Sequence, residues 1–225
     1  MENRNSFKDG LKRSMPIVTG YVPISMAYGV IGMQAGVSFW ALIAMSFFVY
    51  AGAGQFMAVN LFAIGASPLE MTIAVGVLNF RHFVMGLSFQ TRIKSNQFNK
   101  VLLSLGLTDE TFALLSLDEN VHPAYAKGVM LGSYLSWTFG TIAGIFFGNI
   151  IPETLSKGLE IGIFTLFITL LVSSLEGRLK MVYIPMASMV TNTILSTFLS
   201  SGISILLSIL VGAAFGTLIG GNENE

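Results

Sequence analysis

The chain has 225 residues, of which 53% are hydrophobic and 11% are charged, and its formal net charge is +0. Soluble domains carry about 25% charged residues, so this composition excludes an ordinary soluble domain and predicts an all-α integral membrane protein. The balanced charge excludes the basic field of a nucleic-acid binder, and the absence of cysteine excludes disulfides and cysteine-ligated metal or iron–sulfur centres.

The charged residues fall in clusters, and the apolar gaps between the clusters predict the transmembrane helices, since a membrane-crossing helix needs about 20 mostly apolar residues. A polar segment, residues 1–13, comes first and is expected in the cytoplasm, and residues 222–225 form a polar tail. Between them we predict spans at 15–36, 39–64, 68–91, 127–150, 158–175, 181–200 and 202–221, with a weaker candidate at 101–117. The sequence thus predicts one transmembrane domain over residues 1–225 with seven or eight helices.

The basic residues conflict with a simple count of crossings. They favour the cytoplasmic side of a membrane, which places the N-terminal segment there. Three full crossings would then leave Arg92, Lys94 and Lys100 on the wrong side. Irregular backbone at membrane depth is tolerated where it lines a protein-enclosed cavity, so we expect the 101–117 segment and one of its neighbours to be broken or re-entrant. The alternative is that the other orientation signals outweigh a few lysines.

Two stretches favour helix breaks. Pro23 lies inside the first span, where it removes a backbone hydrogen bond, and Gly20 adds freedom beside it. In "YAGAGQF", residues 50–56, Gly52 and Gly54 would let a second backbone or a ligand approach closely beside the polar Gln55. The alternative for this stretch is tight helix packing with Gln55 hydrogen-bonded to a neighbour.

Small residues recur at every fourth position in two of the later spans. Such faces let helix backbones approach each other closely within a membrane. The pattern predicts packing within the chain, and the alternative is docking of another subunit or a second copy of this chain. The two series are Gly132, Ser136, Gly140, Gly144 and Gly148, and Ser204, Ser208, Gly212, Gly216 and Gly220.

Ionisable residues at the centre of predicted spans indicate the functional region. Each ionised side chain at a helix centre costs about 2.5–3.5 kcal/mol, so Arg81, Asp109 and Glu110 are expected to face the interior. Asn79 and His82 share a face of the helix that carries Arg81. The carboxylates of "LTDETF", residues 107–112, could reach Arg81. Such an ion pair either only joins two helices, or releases or reprotonates one partner during transport.

No metal site, cofactor or enzymatic motif is predicted. His82 and His122 are the two histidines, and with no cysteine they cannot assemble a metal site. His82 is either a hydrogen-bonded structural residue or a proton relay. The chain has no nucleotide-binding loop and no nucleophile elbow, which argues against an ATP-driven pump and against an enzyme.

Four motifs resemble the AzlC family of branched-chain amino-acid permeases, in that family's order across residues 14–115. They are "SMPIVTGYVPISMAYGV", "FFVYAGAGQFMAVNLF", "VLNFRHFVMGLS" and "LTDETFAL", and "YLSWTFGTIAGIFFG" extends the likeness more loosely. The resemblance implies a multi-pass protein of the bacterial inner (cytoplasmic) membrane that exports valine, isoleucine, leucine or analogues with a small AzlD-type membrane subunit. The polar positions that the family shares fall on Gln55, Asn79, Arg81, His82, Thr108, Asp109 and Glu110.

Together these observations predict a secondary transporter with a central site. A zwitterionic amino acid needs a cation for its carboxylate, an oxygen ligand for its ammonium and an apolar wall for its side chain. Arg81, with Asp109 or Glu110, can supply the charged groups, and the acid pair would couple export to a proton or another ion. The alternative is a non-catalytic scaffold subunit or a passive channel.

Overall fold

The structure is a computed structural model that describes residues 6–118, 120–147, 168, 182–199 and 201–220. The predicted span at 158–175 and the polar tail therefore lie outside the described residues, apart from residue 168. The described part of the chain forms ten α-helices, and a π-helical segment, Met45–Val49, extends the third one. The helices are α1 (Phe7–Arg13), α2 (Met15–Gln34), α3 (Phe39–Ala44), α4 (Gly52–Ala63), α5 (Pro68–Arg92), α6 (Gln97–Leu105), α7 (Asp109–Leu115), α8 (Pro123–Phe147), α9 (Tyr183–Leu195) and α10 (Ser201–Gly220).

Three of these helices, α2, α5 and α8, are long and apolar enough to cross a membrane. The predicted spans at 39–64 and 101–117 each form two shorter helices instead. α4, with 12 residues, is about 18 Å long, well short of the roughly 30 Å hydrocarbon core. The predicted count of seven or eight crossings therefore cannot be read from helix lengths, because two of the predicted spans are broken.

The helix is not interrupted at the first predicted break, and a bend of α2 at Pro23 stays a prediction. α2 is one helix from Met15 to Gln34 and runs through both Gly20 and Pro23. A proline inside a membrane helix is tolerated where a neighbouring helix supports it, and α2 packs along α8 over much of its length. The packing therefore outweighs the lost backbone hydrogen bond.

Helices α1 and α2 run parallel to α8 in backbone contact. A Cβ built on Gly128 would lie 2.1 Å from the carbonyl oxygen of Phe7, and one built on Gly144 would lie 2.1 Å from that of Met26. Residue numbers rise together along this contact, so the helices point the same way. The described residues of the α8 small-residue series therefore pack within the chain, and Gly148 lies outside the described residues.

The second small-residue series also packs within the chain. A Cβ on Gly212 of α10 would lie 1.9 Å from Oγ of Ser188, and one on Gly216 would lie 3.1 Å from Cδ1 of Ile184. The numbers run in opposite directions along this contact, so α9 and α10 are antiparallel. α10 also packs against α5.

Helices α3 and α4 form a helical hairpin, called here the first hairpin (Phe39–Ala63). Tyr50 lies between them with φ of 43°, in the left-handed region that reverses the chain. Phe39 contacts Phe146 at the end of α8, with ring centroids 5.8 Å apart. Farther along α3 and its π-helical extension, Oγ of Ser46 lies 2.9 Å from Oγ1 of Thr141. The first arm of the hairpin, which is α3 with its π-helical extension, therefore runs from the C-terminal end of α8 towards the middle of α8.

The second arm of this hairpin returns towards the end from which the first arm came. Gly52, at the start of α4, lies against the Trp137 ring. One turn later Phe56 packs edge-on against Tyr28 of α2, with ring centroids 5.5 Å apart. Since α2 is parallel to α8, Tyr28 lies nearer the far end of the bundle than Tyr21, which packs against Trp137 at 5.1 Å.

Helices α6 and α7 form the second hairpin (Gln97–Leu115), which enters from the opposite end. Ser104 donates a hydrogen bond to the carbonyl of Gly86 on α5 at 3.2 Å. After the break at 106–108, α7 returns, and Nη1 of Arg92 donates to the carbonyl of Ser116 at 2.9 Å. The second hairpin therefore starts and finishes near the C-terminal end of α5.

The end of α5 lies beside the start of α8, because the backbone N–H of Val121 donates to the carbonyl of Arg92 at 3.0 Å. α1 lies at the same end, since Gly10 packs against the Tyr125 backbone. Every described lysine and arginine except Arg81 therefore lies at or near one end of the bundle, called here the basic end: Lys8, Lys12, Arg13, Arg92, Lys94, Lys100 and Lys127. The first hairpin returns to the end of the bundle from which it came, which allows these basic residues to lie together at the other end.

Each hairpin packs into its own hydrophobic core. One core, around Tyr28, Leu42 and Phe56, holds the first hairpin against α2 and α8. The other, around Phe89, Leu107 and Tyr125, holds the second hairpin at the basic end. The polar residues of α5 and α7 lie between the two cores, where the hairpin tips meet.

Candidate functional site

An ion pair joins the middle of α5 to the tip of the second hairpin. Nη2 of Arg81 lies 2.9 Å from Oδ2 of Asp109, and the two side chains are 31% and 25% exposed. Nε of Arg81 is buried and has no hydrogen-bond partner. The pair is thus partly removed from water. In such a site a charge without a partner would be unfavourable.

The second hairpin presents its carboxylates because α7 begins at Asp109. Thr108 caps the helix: its Oγ1 accepts from the backbone N–H of Thr111, whose Oγ1 accepts in turn from the N–H of Thr108 at 2.8 Å. Asp109 and Glu110 are in the first turn, where negative charge is favourable. The break therefore fixes two adjacent carboxylates at the tip.

The two carboxylates have different partners. Asp109 pairs with Arg81, whereas Oε2 of Glu110 lies 2.5 Å from the hydroxyl of Tyr21 on α2. The same hydroxyl lies 2.7 Å from Oγ1 of Thr108. Among the described residues, Glu110 forms no ion pair. From the sequence, either acid could pair with Arg81, and the structure separates the two.

A small cavity of about 20 Å³ lies between the two hairpin tips. A cavity needs about 10–15 Å³ to hold one water molecule, so this one can accommodate a water but not an amino acid. It is lined by residues from both tips and from α2, α5 and α8: Tyr21, Gly52, Ala53, His82, Thr108, Asp109, Glu110 and Trp137.

A larger cleft of about 510 Å³ runs beside α5. Its volume falls within the roughly 300–1,000 Å³ of small-molecule sites. Tyr50, Asn79 and His82 give it a polar end, and Ser104 and Gln90 add polar groups along one side. The apolar lining comes from Val49, Phe83, Leu87, Val101, Leu105 and Leu107. His82 lines both the cleft and the small cavity.

Two polar groups at this end of the cleft have no hydrogen-bond partner among the residues that the structure describes. The Tyr50 side chain is only 7% exposed, and its hydroxyl has no hydrogen-bond partner. Oδ1 of Asn79 is also buried without a partner. The Asn79 carboxamide lies against Gly54, where a Cβ would come within 2.7 Å of Nδ2. Both residues line the cleft, but the unpaired donor and acceptor atoms are themselves buried beside it.

The predicted site residues divide into three groups. His82, Thr108, Asp109 and Glu110 surround the small cavity, and Arg81 is joined to it through Asp109. Asn79 and His82 line the cleft. Gln55 lines neither: it is buried and its Nε2 donates to Oγ of Ser46 at 3.0 Å, which favours the packing interpretation.

The predicted break at Gly52 and Gly54 is displaced by one or two residues. The helical path is interrupted at Tyr50 and Ala51, and α4 begins at Gly52. Both glycines serve close contacts instead, Gly52 with Trp137 and Gly54 with Asn79. The glycine-rich stretch thus indicated the break, but the left-handed residue is a tyrosine.

Two residues of the site, Tyr21 and Tyr50, were not predicted, and for Trp137 the sequence left packing and cavity lining as alternatives. Tyr21 lies just before Pro23, and Tyr50 lies just before Gly52. The sequence pattern indicated the proline and the glycine as helix breaks but gave no signal for the two tyrosines. Trp137 lies in a long apolar helix, in a sequence context typical of packing residues. Only the fold brings its ring against Tyr21 and Gly52.

Comparison with known proteins decides the family. The family model described as AzlC protein matches residues 16–151, which include both hairpins and the ion pair. The chain belongs to the AzlC family. No solved structure matches the chain.

Several relatives of this AzlC-family chain are membrane proteins. Inner membrane protein YgaZ of Escherichia coli (strain K12) is 32% identical over 151 residues, 64% of this chain and 62% of YgaZ. An uncharacterized membrane protein of Archaeoglobus fulgidus is 32% identical over 174 residues, 76% of this chain and 77% of that protein. Branched-chain amino acid transport protein AzlC of Bacillus subtilis (strain 168) is 29% identical over 173 residues, 74% of this chain and 67% of that protein.

Proposed function

We propose that this protein is a secondary transporter that exports branched-chain amino acids from the cytoplasm. The observation that carries the proposal is the Arg81–Asp109 ion pair, which lies where two hairpin tips meet beside a cleft of ligand size. The name of the Bacillus subtilis relative, a branched-chain amino acid transport protein, supports the substrate class.

The cleft suits a zwitterion with an aliphatic side chain. Its polar end, at Tyr50, Asn79 and His82, would bind the charged head group, and the apolar residues beyond would contact the side chain. A hydrophobic pocket discriminates between aliphatic chains by about 1–3 kcal/mol per methylene. Affinity for valine, leucine and isoleucine would therefore be graded rather than exclusive.

The ion pair would open by exchange with the substrate. Arg81 and Asp109 do not line the cleft in the described structure, so the substrate meets them only if the tips separate. A zwitterion can replace both partners at once, with its carboxylate on Arg81 and its ammonium on Asp109. No buried charge would then be left unpaired, which keeps the exchange energetically accessible.

The hairpins would act as two re-entrant gates in the membrane. α2, α5 and α8 would cross the bilayer, the first hairpin would enter from one side and the second from the other. The positive-inside rule places the basic end in the cytoplasm. Broken helices that meet at the bilayer midplane are the usual frame of a secondary-transport site.

Two further parts of the proposal, the small subunit and the bacterial inner membrane, depend on the family resemblance, and a third, the coupling proton, depends on the acid pair. The transporter would act with a small AzlD-type membrane subunit in the bacterial inner membrane. Its export step would be driven by proton entry, for which the carboxylates at the tip are the candidate groups.

Reconstitution tests the proposal. Purified protein in liposomes, with and without the small subunit, should show saturable, pH-gradient-dependent movement of L-valine and counterflow. Arg81→Ala and Asp109→Asn should each abolish both. Valine flux that is unchanged in both variants would remove the site assignment. Absence of any flux in the wild type would favour a scaffold, and flux without counterflow would favour a channel.

A further inference from the structure

Within the proposed transport function, we propose that Glu110 carries the coupling proton and that a water in the small cavity connects it to His82. Asp109 then has a different role, as the counter-ion of Arg81. The proposal depends on the proposed function, because a coupling proton requires a transported substrate. It assigns a proton-binding site that the substrate does not occupy.

The partners of Glu110 distinguish it from Asp109. Its carboxylate faces a hydroxyl, the one of Tyr21, and no cation pairs with it among the described residues. In a partly buried site the charge of Asp109 is balanced by Arg81, whereas that of Glu110 is not. Of the two acids, Glu110 is therefore the one whose charge protonation can remove without leaving a cation unpaired.

The hydrogen bonds of Tyr21 suit both protonation states of Glu110. A tyrosine hydroxyl has one proton, yet this one lies within hydrogen-bond distance of both Glu110 Oε2 and Thr108 Oγ1. When Glu110 is ionised, Thr108 donates to Tyr21 and Tyr21 donates to the carboxylate. When Glu110 is protonated, it donates to Tyr21 and Tyr21 donates to Thr108. The proton can bind or leave without movement of heavy atoms.

A water in the cavity would complete the path to the cleft. Glu110 and His82 both line the cavity, but no direct ion pair joins them. Trp137 lines it as well, is only 4% exposed, and its Nε1–H has no acceptor in the described structure. A water there could accept from Trp137 and hydrogen-bond to His82 and Glu110.

The step is a proton transfer and nothing else. The cleft runs along the half of α5 nearest the basic end, so a proton that enters from the other side of the membrane leaves through it. Neutral Glu110 gives its proton to the cavity water and becomes a carboxylate. The cavity water passes a proton to one imidazole nitrogen of His82, and the other nitrogen releases a proton to water in the cleft. The charged and titratable groups that face this path are Tyr21, Tyr50, Arg81 and Asp109.

Replacement of Glu110 tests the coupling. Glu110→Gln in proteoliposomes should retain L-valine counterflow at equal pH on both sides, but lose pH-gradient-driven accumulation and valine-dependent proton flux. Glu70→Gln is the matched control: this acid caps the far end of α5 and glutamine also fits a capping box, so both activities should persist. Gradient-driven accumulation in Glu110→Gln would overturn the proposal, and so would loss of its counterflow in folded protein.

Two further measurements keep the test decisive if Glu110→Gln does not fold or valine is not the substrate. Trp137→Phe, which removes the indole N–H, should slow proton flux relative to counterflow. Difference infrared spectra of purified protein between acid and neutral pH need no substrate. All twelve acidic residues can contribute to the carboxylic-acid band, so its Glu110 component is identified by Tyr21→Phe, which removes the hydrogen bond to that side chain and should shift the band. Asp109→Asn should keep this component, and a band that Tyr21→Phe leaves unchanged would overturn the proposal. Wild-type protein with the band but without valine flux would contradict only the proposed function.

Discussion

The backbone N–H of Val121 donates to the carbonyl oxygen of Arg92 at 3.0 Å, which ties the C-terminal end of α5 to the start of α8. Because α8 is parallel to α1 and α2, this bond places Arg92 at the same end as the N-terminal helix. An even number of crossings must therefore separate the N-terminal segment from Arg92. α2 and α5 are long and apolar enough to supply two crossings, in which case the first hairpin supplies none.

Cysteine labelling tests this topology. The chain contains no cysteine, so single substitutions have no background. Lys12→Cys and Lys94→Cys are both exposed and should react with a membrane-impermeant maleimide from the same face, whereas Ala63→Cys at the end of α4 should react from the other. Reaction of positions 12 and 94 from opposite faces would require three full crossings and contradict the hairpin.

The basic residues anticipated this arrangement only in part. Their clash with a simple count of crossings indicated a broken segment at 101–117 and one more nearby. The glycine-rich stretch 50–56 indicated a break within 39–64 but not a reversal, because the reversal depends on one left-handed residue, Tyr50, held by tertiary contacts. Local patterns predict apolar content well and chain reversal poorly.

The ion pair was predictable, but its surroundings were not. An arginine among apolar residues needs a partner, and "LTDETF" supplied carboxylates that lie within another apolar segment. The separation of Asp109 from Glu110 depends on Tyr21, some 90 residues earlier, which approaches only because α2 packs beside the second hairpin. The cleft, likewise, draws its lining from α5 and both hairpins.

A double-variant cycle separates a transport role of Arg81 and Asp109 from a purely structural one. Arg81→Ala and Asp109→Asn should each destabilise the protein by about 1–3 kcal/mol, between the values of exposed and buried pairs. The double variant should lose less than the sum, because neither charge is left alone. Thermal unfolding in detergent measures this coupling.

Transport by the double variant decides which role the pair has. If the pair binds substrate, valine flux should be absent in the double variant even though its stability is partly restored. If the pair only joins two helices, removing both charges should restore flux together with stability. Restored flux would contradict the proposed exchange.

The Tyr50 hydroxyl is expected to contact the substrate. Tyr50→Phe removes a buried donor that has no partner, so stability should be unchanged or slightly higher. The KM for valine should rise about 3–10-fold, the equivalent of one ordinary hydrogen bond. Transport kinetics and thermal unfolding of the same variant give both quantities.

Tyr134→Phe is the control for this prediction. The Tyr134 ring packs against Tyr50 with centroids 4.9 Å apart, and its hydroxyl donates to the carbonyl of Phe47 at 3.0 Å. Loss of this bond should lower stability with little effect on KM. An unchanged KM in Tyr50→Phe, or a larger increase in Tyr134→Phe, would contradict the assignment.

Two glycine substitutions should change stability in opposite directions. A Cβ on Gly144 would lie 2.1 Å from the carbonyl oxygen of Met26, a backbone atom that cannot move without separating α2 from α8. Gly144→Ala should therefore destabilise the protein by about 1–3 kcal/mol.

Gly20 lies in α2 with nothing within 4 Å of a built Cβ, and the helix continues past it to Gln34. Gly20→Ala should therefore stabilise the protein by about 0.5–1 kcal/mol, because alanine restricts the unfolded chain and favours the helix. Thermal unfolding of the two variants in the same detergent checks both signs, and a loss of stability in Gly20→Ala would indicate that α2 bends there after all.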